Sequence, residues 1–126
     1  MKKEQILTKK CGECHGPYAL GVKCGDTIYT TQVASDVSGA IVPGGIREQT
    51  RKTMENAKAV LEAAGSCMDN LLKVTIYVLD MNDVPAMNEV YQTYFNDNYP
   101  ARCCTQCAGM CEGAVVEMEF TAFVGE

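Results

Sequence analysis

YPARCCTQ, residues 99–106, starts with a residue pair that favours extended backbone, because proline fixes its own φ and pushes the preceding residue away from helix. From Ala101 onward the side chains are short or tolerant of β structure, so this stretch predicts a strand. Alternate side chains of a strand share a face, which places Arg102, Cys104 and Gln106 on the same side.

The stretch 115–124 predicts a second strand, because apolar residues alternate there with Glu117, Glu119 and a threonine. Only a glycine-containing turn at 109–113 separates it from the first, so the two are predicted to form a hairpin. Arginine grips a carboxylate or phosphate through two parallel hydrogen bonds, so Arg102 indicates an anion site. The alternative is a solvated face with a cross-strand salt bridge, worth less than about 1 kcal/mol.

The rest of the chain predicts an α+β fold with two layers, a sheet and the helices that cover it. In chain order, the other predicted elements are strands at 20–24, 27–33 and 41–42, a helix at 46–64, a strand at 71–79 and a helix capped by Asp83 that ends near Phe95. Both helices have one apolar stripe, so we expect them to cover one face of a six-stranded mixed sheet. The other face, predicted to carry Arg102, Cys104, Glu117 and Glu119, would meet water or a partner subunit.

Length and charge limit the function. The 126 residues suit one domain, 1–126, in which residues 1–15 form an extension that leads into the first strand. The formal net charge is −5, from 11 basic and 16 acidic residues, which disfavours nucleic-acid binding. The first eight residues lack the apolar core of a signal peptide, and no apolar run is long enough to span a bilayer. We therefore expect a cytoplasmic protein.

Eight cysteines are many for this length, and in a cytoplasmic protein we expect them to be reduced. Residues 11–15 fit the C-x-x-C-H pattern of covalent haem attachment, but that chemistry normally accompanies export. Cys11 and Cys14 would also make a four-thiolate zinc site with Cys104 and Cys107. Unligated thiols are the favoured interpretation, so neither a metal nor a cofactor is predicted.

Seven motifs occur in order from residue 16 onward. They are GPY at 16–18, VPGGI-x-x-QT at 42–50, AVLEAAG at 59–65, KVT at 73–75, N-x-x-Y at 88–91, YPAR at 99–102 and VEME at 116–119. Together they resemble the Rid (YjgF) family, which older naming calls endoribonuclease L-PSP or translation initiation inhibitor. The resemblance implies a chorismate-mutase-like fold and a homotrimer with clefts between subunits.

The resemblance also implies an activity: hydrolysis of reactive 2-imino and 2-amino enoic acids, such as 2-aminoacrylate and 2-iminopropanoate, to 2-keto acids and ammonia. In that family the arginine matching Arg102 clamps the substrate carboxylate, and the residues matching Glu117 and Cys104 lie by the attacking water. An imine carbon is already electrophilic, so orientation, a held water and a proton donor suffice without a metal.

The resemblance further predicts which residues line the pocket. Tyr18 and Asn88 match pocket positions, and Thr30 and Thr31 occupy the place where the family usually has Ser-Gly. A glycine lets backbone approach a ligand closely, whereas Thr31 adds a branched side chain there.

Two other functions compete with imine hydrolysis. One is an endoribonuclease that acts on single-stranded RNA; the net charge of −5 and a single histidine argue against it. The other is a non-catalytic trimer that binds keto acids or acts as a chaperone, which Thr31 would favour. Turnover of 2-aminoacrylate separates the three.

Overall fold

The computed structural model describes residues 1–12 and 14–125, and it places six strands and two helices in that part of the chain. These are β1 (Lys3–Gln5), β2 (Gly21–Cys24), β3 (Thr27–Val33), α1 (Ile46–Ala63), β4 (Leu71–Val78), α2 (Val84–Tyr91), β5 (Ala101–Gln106) and β6 (Val116–Phe123). Neither described helix is long and apolar enough to cross a membrane. Glu13 of the C-x-x-C-H motif and Glu126 at the end of the predicted domain lie outside the described residues.

The strands form one mixed sheet in the order β1-β2-β3-β6-β4-β5. Neighbouring strands are antiparallel except for β4 and β5, which run parallel. The helices pack on one face and on each other, and their buried residues join those of β3, β4 and β6 in one core. The predicted α+β fold, with a six-stranded mixed sheet and two helices, is confirmed.

Hydrophobic periodicity places the core correctly. The α1 stripe predicted from spacings of three and four is buried along its length, from Ile46 through Met54 to Leu61. In β6 the alternation also holds, because Met118 and Phe120 are buried while the residues between them face outward. Burial of these side chains supplies the main favourable free energy of folding.

The sixth strand is not the one predicted. Residues 3–5 form edge strand β1, in which Glu4 pairs with Lys23 of β2, so the predicted N-terminal extension contains a strand. Ile41 makes only an isolated bridge with Ser35. The β1 side chains are polar and exposed, and main-chain hydrogen bonds hold the strand to β2, so it leaves no apolar alternation to detect.

The predicted β5–β6 hairpin is wrong. β5 lies at the sheet edge, parallel to β4, with Arg102 beside Val74, and β6 lies between β3 and β4. The chain segment that contains α2 connects β4 to β5, and a strand–helix–strand crossover places its two strands side by side and parallel. The following loop then returns β6 to the centre of the sheet.

The placement of all four polar groups on one sheet face is also wrong. Arg102 is in register with Val74, whose partner in β6 is Phe120, and both of these are buried under the helices. Cys104 is two residues further along β5, so its side chain lies on the same face as that of Arg102. Glu117 pairs with Tyr77 and therefore lies on the opposite, uncovered face, as does Glu119. Side-chain direction has a period of two, so the relative faces of two strands depend on a register that each strand's own pattern does not specify.

The second helix is shorter than predicted. Its α-helical part ends at Tyr91, and a single 3₁₀ turn continues to Tyr94. Asp83 precedes α2 but makes no side-chain capping bond. Asp80 caps the preceding turn instead, because its carboxylate accepts a hydrogen bond of 2.9 Å from the Asn82 N–H.

Candidate active site

The guanidinium of Arg102 lies in a groove between the sheet edge and α2. The groove has a volume of about 280 Å³. Its lining residues are Asn88, Tyr91, Gln92, Tyr99, Pro100 and Arg102. Arg102 is exposed, and it forms no salt bridge within residues 1–12 and 14–125, unlike Arg47 and Arg51. Its charge and planar fork therefore remain available to an anion.

Tyr91 lies directly under this arginine. The Cζ of Arg102 is 4.9 Å from the centroid of the Tyr91 ring, within the range of a cation–π interaction. Tyr91 is only 3% exposed, and burial raises the pKa of its hydroxyl to about 12 even though the Arg102 charge acts in the opposite direction. The hydroxyl therefore stays protonated at neutral pH and is not a general base.

A row of aromatic rings extends from Tyr91 towards the start of β5. The Phe95 ring centroid lies 5.0 Å from that of Tyr91, and the Tyr99 centroid lies 5.6 Å from that of Phe95, with tilted planes in both pairs. Tyr99 directly precedes the proline that leads into β5. This row therefore joins the end of α2 to the strand that carries Arg102.

Cys104 lies two residues further along β5 and is partly buried against the core. Burial raises the pKa of its thiol, and the nearby Arg102 charge only partly offsets that effect. The thiol is the main form at neutral pH, so Cys104 can hydrogen-bond a water or substrate but is poorly suited to act as a nucleophile.

The uncovered face has a different electrostatic character. Glu117 and Glu119 are two residues apart on β6 and share this face, and the Tyr77 hydroxyl donates a hydrogen bond of 2.8 Å to Glu119. Burial raises the pKa of Glu117, and the Glu119 charge raises it further. A carboxylate with a raised pKa is better matched to proton transfer near neutral pH.

Tyr18 lies beside the N-terminal segment, next to Thr31, which belongs to the uncovered face because it pairs with Glu119. Both line a groove of about 530 Å³ together with Cys14, His15 and Cys111. Tyr18 is 65% exposed. The groove is therefore open to solvent in the single chain.

Thr30 makes its side-chain hydrogen bonds within the chain. Its hydroxyl donates to the Leu20 carbonyl at 2.8 Å and accepts from the Gln32 side chain at 2.8 Å. Its side chain is buried on the helix-covered face. The hydroxyl thus holds β3 against the preceding loop, and the predicted contact of Thr30 with a substrate stays a prediction.

The predicted site residues therefore fall into three groups. Arg102 and Asn88 meet in one groove, with Cys104 further along the same strand. Glu117 and Thr31 lie on the uncovered face, where Thr31 pairs with Glu119, and Tyr18 lies beside the N-terminal segment. Sequence analysis placed Tyr91 in the N-x-x-Y motif at 88–91 but gave it no role in the site, although this spacing places Asn88 and Tyr91 on one side of a helix.

The cysteines do not gather into a metal centre. All eight carry free thiols. Among the residues that the structure describes, no three Cys, His, Asp or Glu side chains are grouped so that they could hold a metal ion. The four cysteines considered for zinc, Cys11, Cys14, Cys104 and Cys107, therefore do not form such a group.

Comparison with known proteins decides the family. The model of the family described as endoribonuclease L-PSP matches residues 9–124, nearly the whole chain. The chain belongs to the endoribonuclease L-PSP family. This confirms the resemblance to Rid proteins carried by the seven motifs.

Curated relatives within the family have two kinds of name. A RutC family protein of Pyrococcus abyssi is 41% identical over 98% of both chains. A mouse protein named 2-iminobutanoate/2-iminopropanoate deaminase is 40% identical over 95% of this chain and 90% of its own. Its human counterpart, of the same name, is 37% identical over 95% and 89%.

Solved structures of the family have the same fold. A Rid family protein of unknown function from Yersinia pestis superposes with a TM-score of 0.93 at 32% identity, covering 98% of this chain and all of its own. The structure of E. coli TdcF with bound serine superposes with a TM-score of 0.90 at 32% identity, covering 97% and 99%. The second structure shows that a family member has been crystallised with a small amino acid bound.

Proposed function

We propose that this member of the L-PSP family is a metal-free hydrolase of reactive 2-imino and 2-amino enoic acids, which it converts to 2-keto acids and ammonia. The observation that carries the proposal is Arg102: its exposed guanidinium has no salt-bridge partner among residues 1–12 and 14–125, and its Cζ lies 4.9 Å from the centroid of an aromatic ring in a small groove. The 40% identity to a mouse protein named as an imine deaminase supports this choice of substrate.

The reaction needs little from the protein beyond orientation. 2-Aminoacrylate becomes 2-iminopropanoate when its carbon C3 takes up a proton and its nitrogen releases one. Water then adds to the imine carbon, the nitrogen takes up the proton that the water loses, and the carbinolamine collapses to pyruvate and ammonia. Holding the substrate carboxylate on Arg102 fixes the imine carbon relative to the water. The entropy of bringing the two together is then lost on binding, so the barrier of the chemical step is lower.

Glu117 is the proposed acceptor of the water proton. Its raised pKa lies closer to neutrality than that of an ordinary glutamate, which favours transfer in both directions. Cys104, as a neutral thiol, is proposed to hydrogen-bond the water. Asn88, which shares the groove with Arg102, is proposed to contact the substrate beside its carboxylate.

The site is proposed to be complete only between copies of the chain. Arg102 lies at the sheet edge on the helix side, whereas Glu117 lies two strands across and three residues along, roughly 14 Å away, on the other face. The uncovered sheet face and the open groove at Tyr18 and Thr31 are both accessible to a neighbouring subunit. A closed homotrimer would bury the uncovered face and bring the edge that carries Arg102 next to another copy.

Light scattering and sedimentation test the assembly. We expect a mass three times that of the chain. A monomer at working concentrations, with full activity, would contradict the shared site.

Turnover tests the activity. Purified protein is mixed with freshly generated 2-aminoacrylate, and pyruvate and ammonia are followed, with the variant Arg51→Ala as matched control for loss of an exposed arginine outside the groove. We expect the parent and this control to release one ammonia per pyruvate at equal rates. Release no faster than in buffer would refute the proposed function.

The family description supplies the second candidate, an endoribonuclease. It receives little support from a chain with a net charge of −5, because an RNA backbone favours a basic surface. Incubation with labelled single-stranded RNA under the same conditions tests it, and we expect no cleavage. Pyruvate binding without turnover would instead support the non-catalytic binder that Thr31 suggests.

A further inference from the structure

We propose that Tyr91 is a positioning residue, whose ring holds the Arg102 guanidinium in the orientation that grips the substrate carboxylate. This rests on the proposed function, because it assigns a purpose to the contact beneath the same arginine. The starting observation is the distance of 4.9 Å between the Arg102 Cζ and the ring centroid.

The ring is a fixed platform. Tyr91 is 3% exposed and belongs to the last turn of α2. Phe95 contacts it at a tilted angle of 45°, and Tyr99 packs on Phe95 in turn. The platform is therefore held both by the helix and by the loop that leads into β5.

The arginine, by contrast, has little else to fix it. It is exposed, lies on an edge strand, and has no salt-bridge partner among residues 1–12 and 14–125. A long side chain in that position loses rotamer freedom when a ligand binds, which weakens affinity. A ring under the guanidinium removes part of that freedom beforehand and leaves the edge of the fork free for a carboxylate.

The ring, and not the hydroxyl, carries this role. The Tyr91 hydroxyl oxygen is buried and has no hydrogen-bond partner within residues 1–12 and 14–125, and the same holds for Oδ1 of Asn88 in the same groove. A buried hydroxyl without a partner destabilises the folded state. Replacing Tyr91 by phenylalanine removes that hydroxyl and keeps the ring, so we expect function to persist and Tm to rise by about 3 °C.

The experiment compares Tyr91→Phe, Tyr91→Leu and the control Tyr94→Leu. Tyr94 is a neighbouring aromatic whose hydroxyl bonds Glu55, and it does not line the groove. For each variant, KM and kcat are measured with 2-aminoacrylate and Kd with pyruvate. We expect Tyr91→Leu to raise KM and Kd about tenfold with kcat within about threefold, and the other two to keep parental values.

A second measurement does not depend on turnover or on the folding of Tyr91→Leu. The Arg102 Nε–H proton, observed by NMR in the parent and in Tyr91→Phe, is expected to be shifted upfield by the ring beneath it. An unshifted resonance in both proteins would overturn the inference. So would parental KM and Kd in a folded Tyr91→Leu, or equal losses in Tyr91→Leu and Tyr94→Leu.

The failure of the proposed function has a different signature. A parent that binds pyruvate but releases no ammonia refutes the deaminase, and the Kd values of the variants still decide the role of Tyr91. A parent that neither turns over 2-aminoacrylate nor binds pyruvate overturns both, because the arginine would then hold no carboxylate.

Discussion

The Arg102 groove and the uncovered sheet face contrast in how each stabilises its charge. In the groove the Arg102 guanidinium has no salt-bridge partner among the described residues and lies over a buried ring. On the uncovered face Glu117 and Glu119 lie near each other, and the Glu117 pKa is raised by burial and by that neighbour. The first arrangement is suited to binding an anion, and the second is suited to proton transfer. Within one chain, the groups suited to these two tasks lie on opposite faces of the sheet.

Replacing Arg102 should have the largest effect on activity, because it removes the cation of the groove and leaves the uncovered face unchanged. Loss of a bidentate carboxylate contact costs about 2–5 kcal/mol, so Arg102→Ala should lower kcat/KM by about 1.5 to 3.7 powers of ten. Arg102→Lys keeps the charge but loses the planar fork, and much of the activity should still disappear. The measurement is kcat/KM on 2-aminoacrylate with the assembly checked by light scattering. A parental kcat/KM in Arg102→Ala would contradict the assignment of Arg102 as the anion site.

Glu117→Gln should separate proton transfer from binding. We expect kcat to fall by about a hundredfold, because a general base contributes on that order, while the Kd for pyruvate stays within threefold of the parent. Steady-state kinetics and calorimetric titration measure the two effects. If Kd rises as much as kcat falls, Glu117 belongs to the anion site and the separation of the two regions is incorrect.

Cys104→Ser should have a small effect. A hydroxyl still hydrogen-bonds water, so kcat/KM should change by only a few fold. Cys103→Ser, which changes the neighbouring thiol on the opposite sheet face, is the control. Complete loss in Cys104→Ser with normal folding would show that the thiol acts as a nucleophile.

The pH dependence of stability should reveal the raised pKa of Glu117. Because the pKa of Glu117 is raised in the folded state, the folded protein binds that proton more tightly than the unfolded chain. Its contribution to stability is therefore present below the ordinary glutamate pKa and is lost as pH rises through the raised value. Thermal melts should show Glu117→Gln gaining stability over the parent as pH rises through that window, and an equal gap at every pH would contradict the shift.

The apolar core could be predicted from the sequence alone, because it depends on the periodicity of apolar residues. The stripe that begins at Ile46 and the alternation around Met118 locate the core, because apolar burial leaves a pattern along the chain. The same periodicity missed the strand that contains Glu4, whose stabilisation comes from main-chain hydrogen bonds. It also put Arg102 on the wrong face, because register is set by the tertiary arrangement of three strands and not by residues near the arginine.

Register also limits what the sequence says about the candidate site. Family motifs selected Arg102 and Asn88, which meet in the folded chain, and Glu117, which lies elsewhere. The motifs say which residues matter to a family but not which of them share a surface within one subunit. Thr30 shows the limit most clearly, because its hydroxyl is occupied by contacts to Leu20 and Gln32.

The most direct test of the central claim is a pyruvate titration followed by NMR, with the Arg102 Nε–H and the backbone amides of Thr75 and Tyr77 as reporters. The first reports on the groove, and the other two lie on the β4 segment beside Glu119 and Glu117. We predict a saturable shift of the Arg102 signal in the parent, with the same Kd in Glu117→Gln. In Arg102→Lys, which lacks this proton, calorimetric titration with pyruvate should show no saturable binding. Saturable shifts at Thr75 and Tyr77 with an unmoved Arg102 signal would contradict the account.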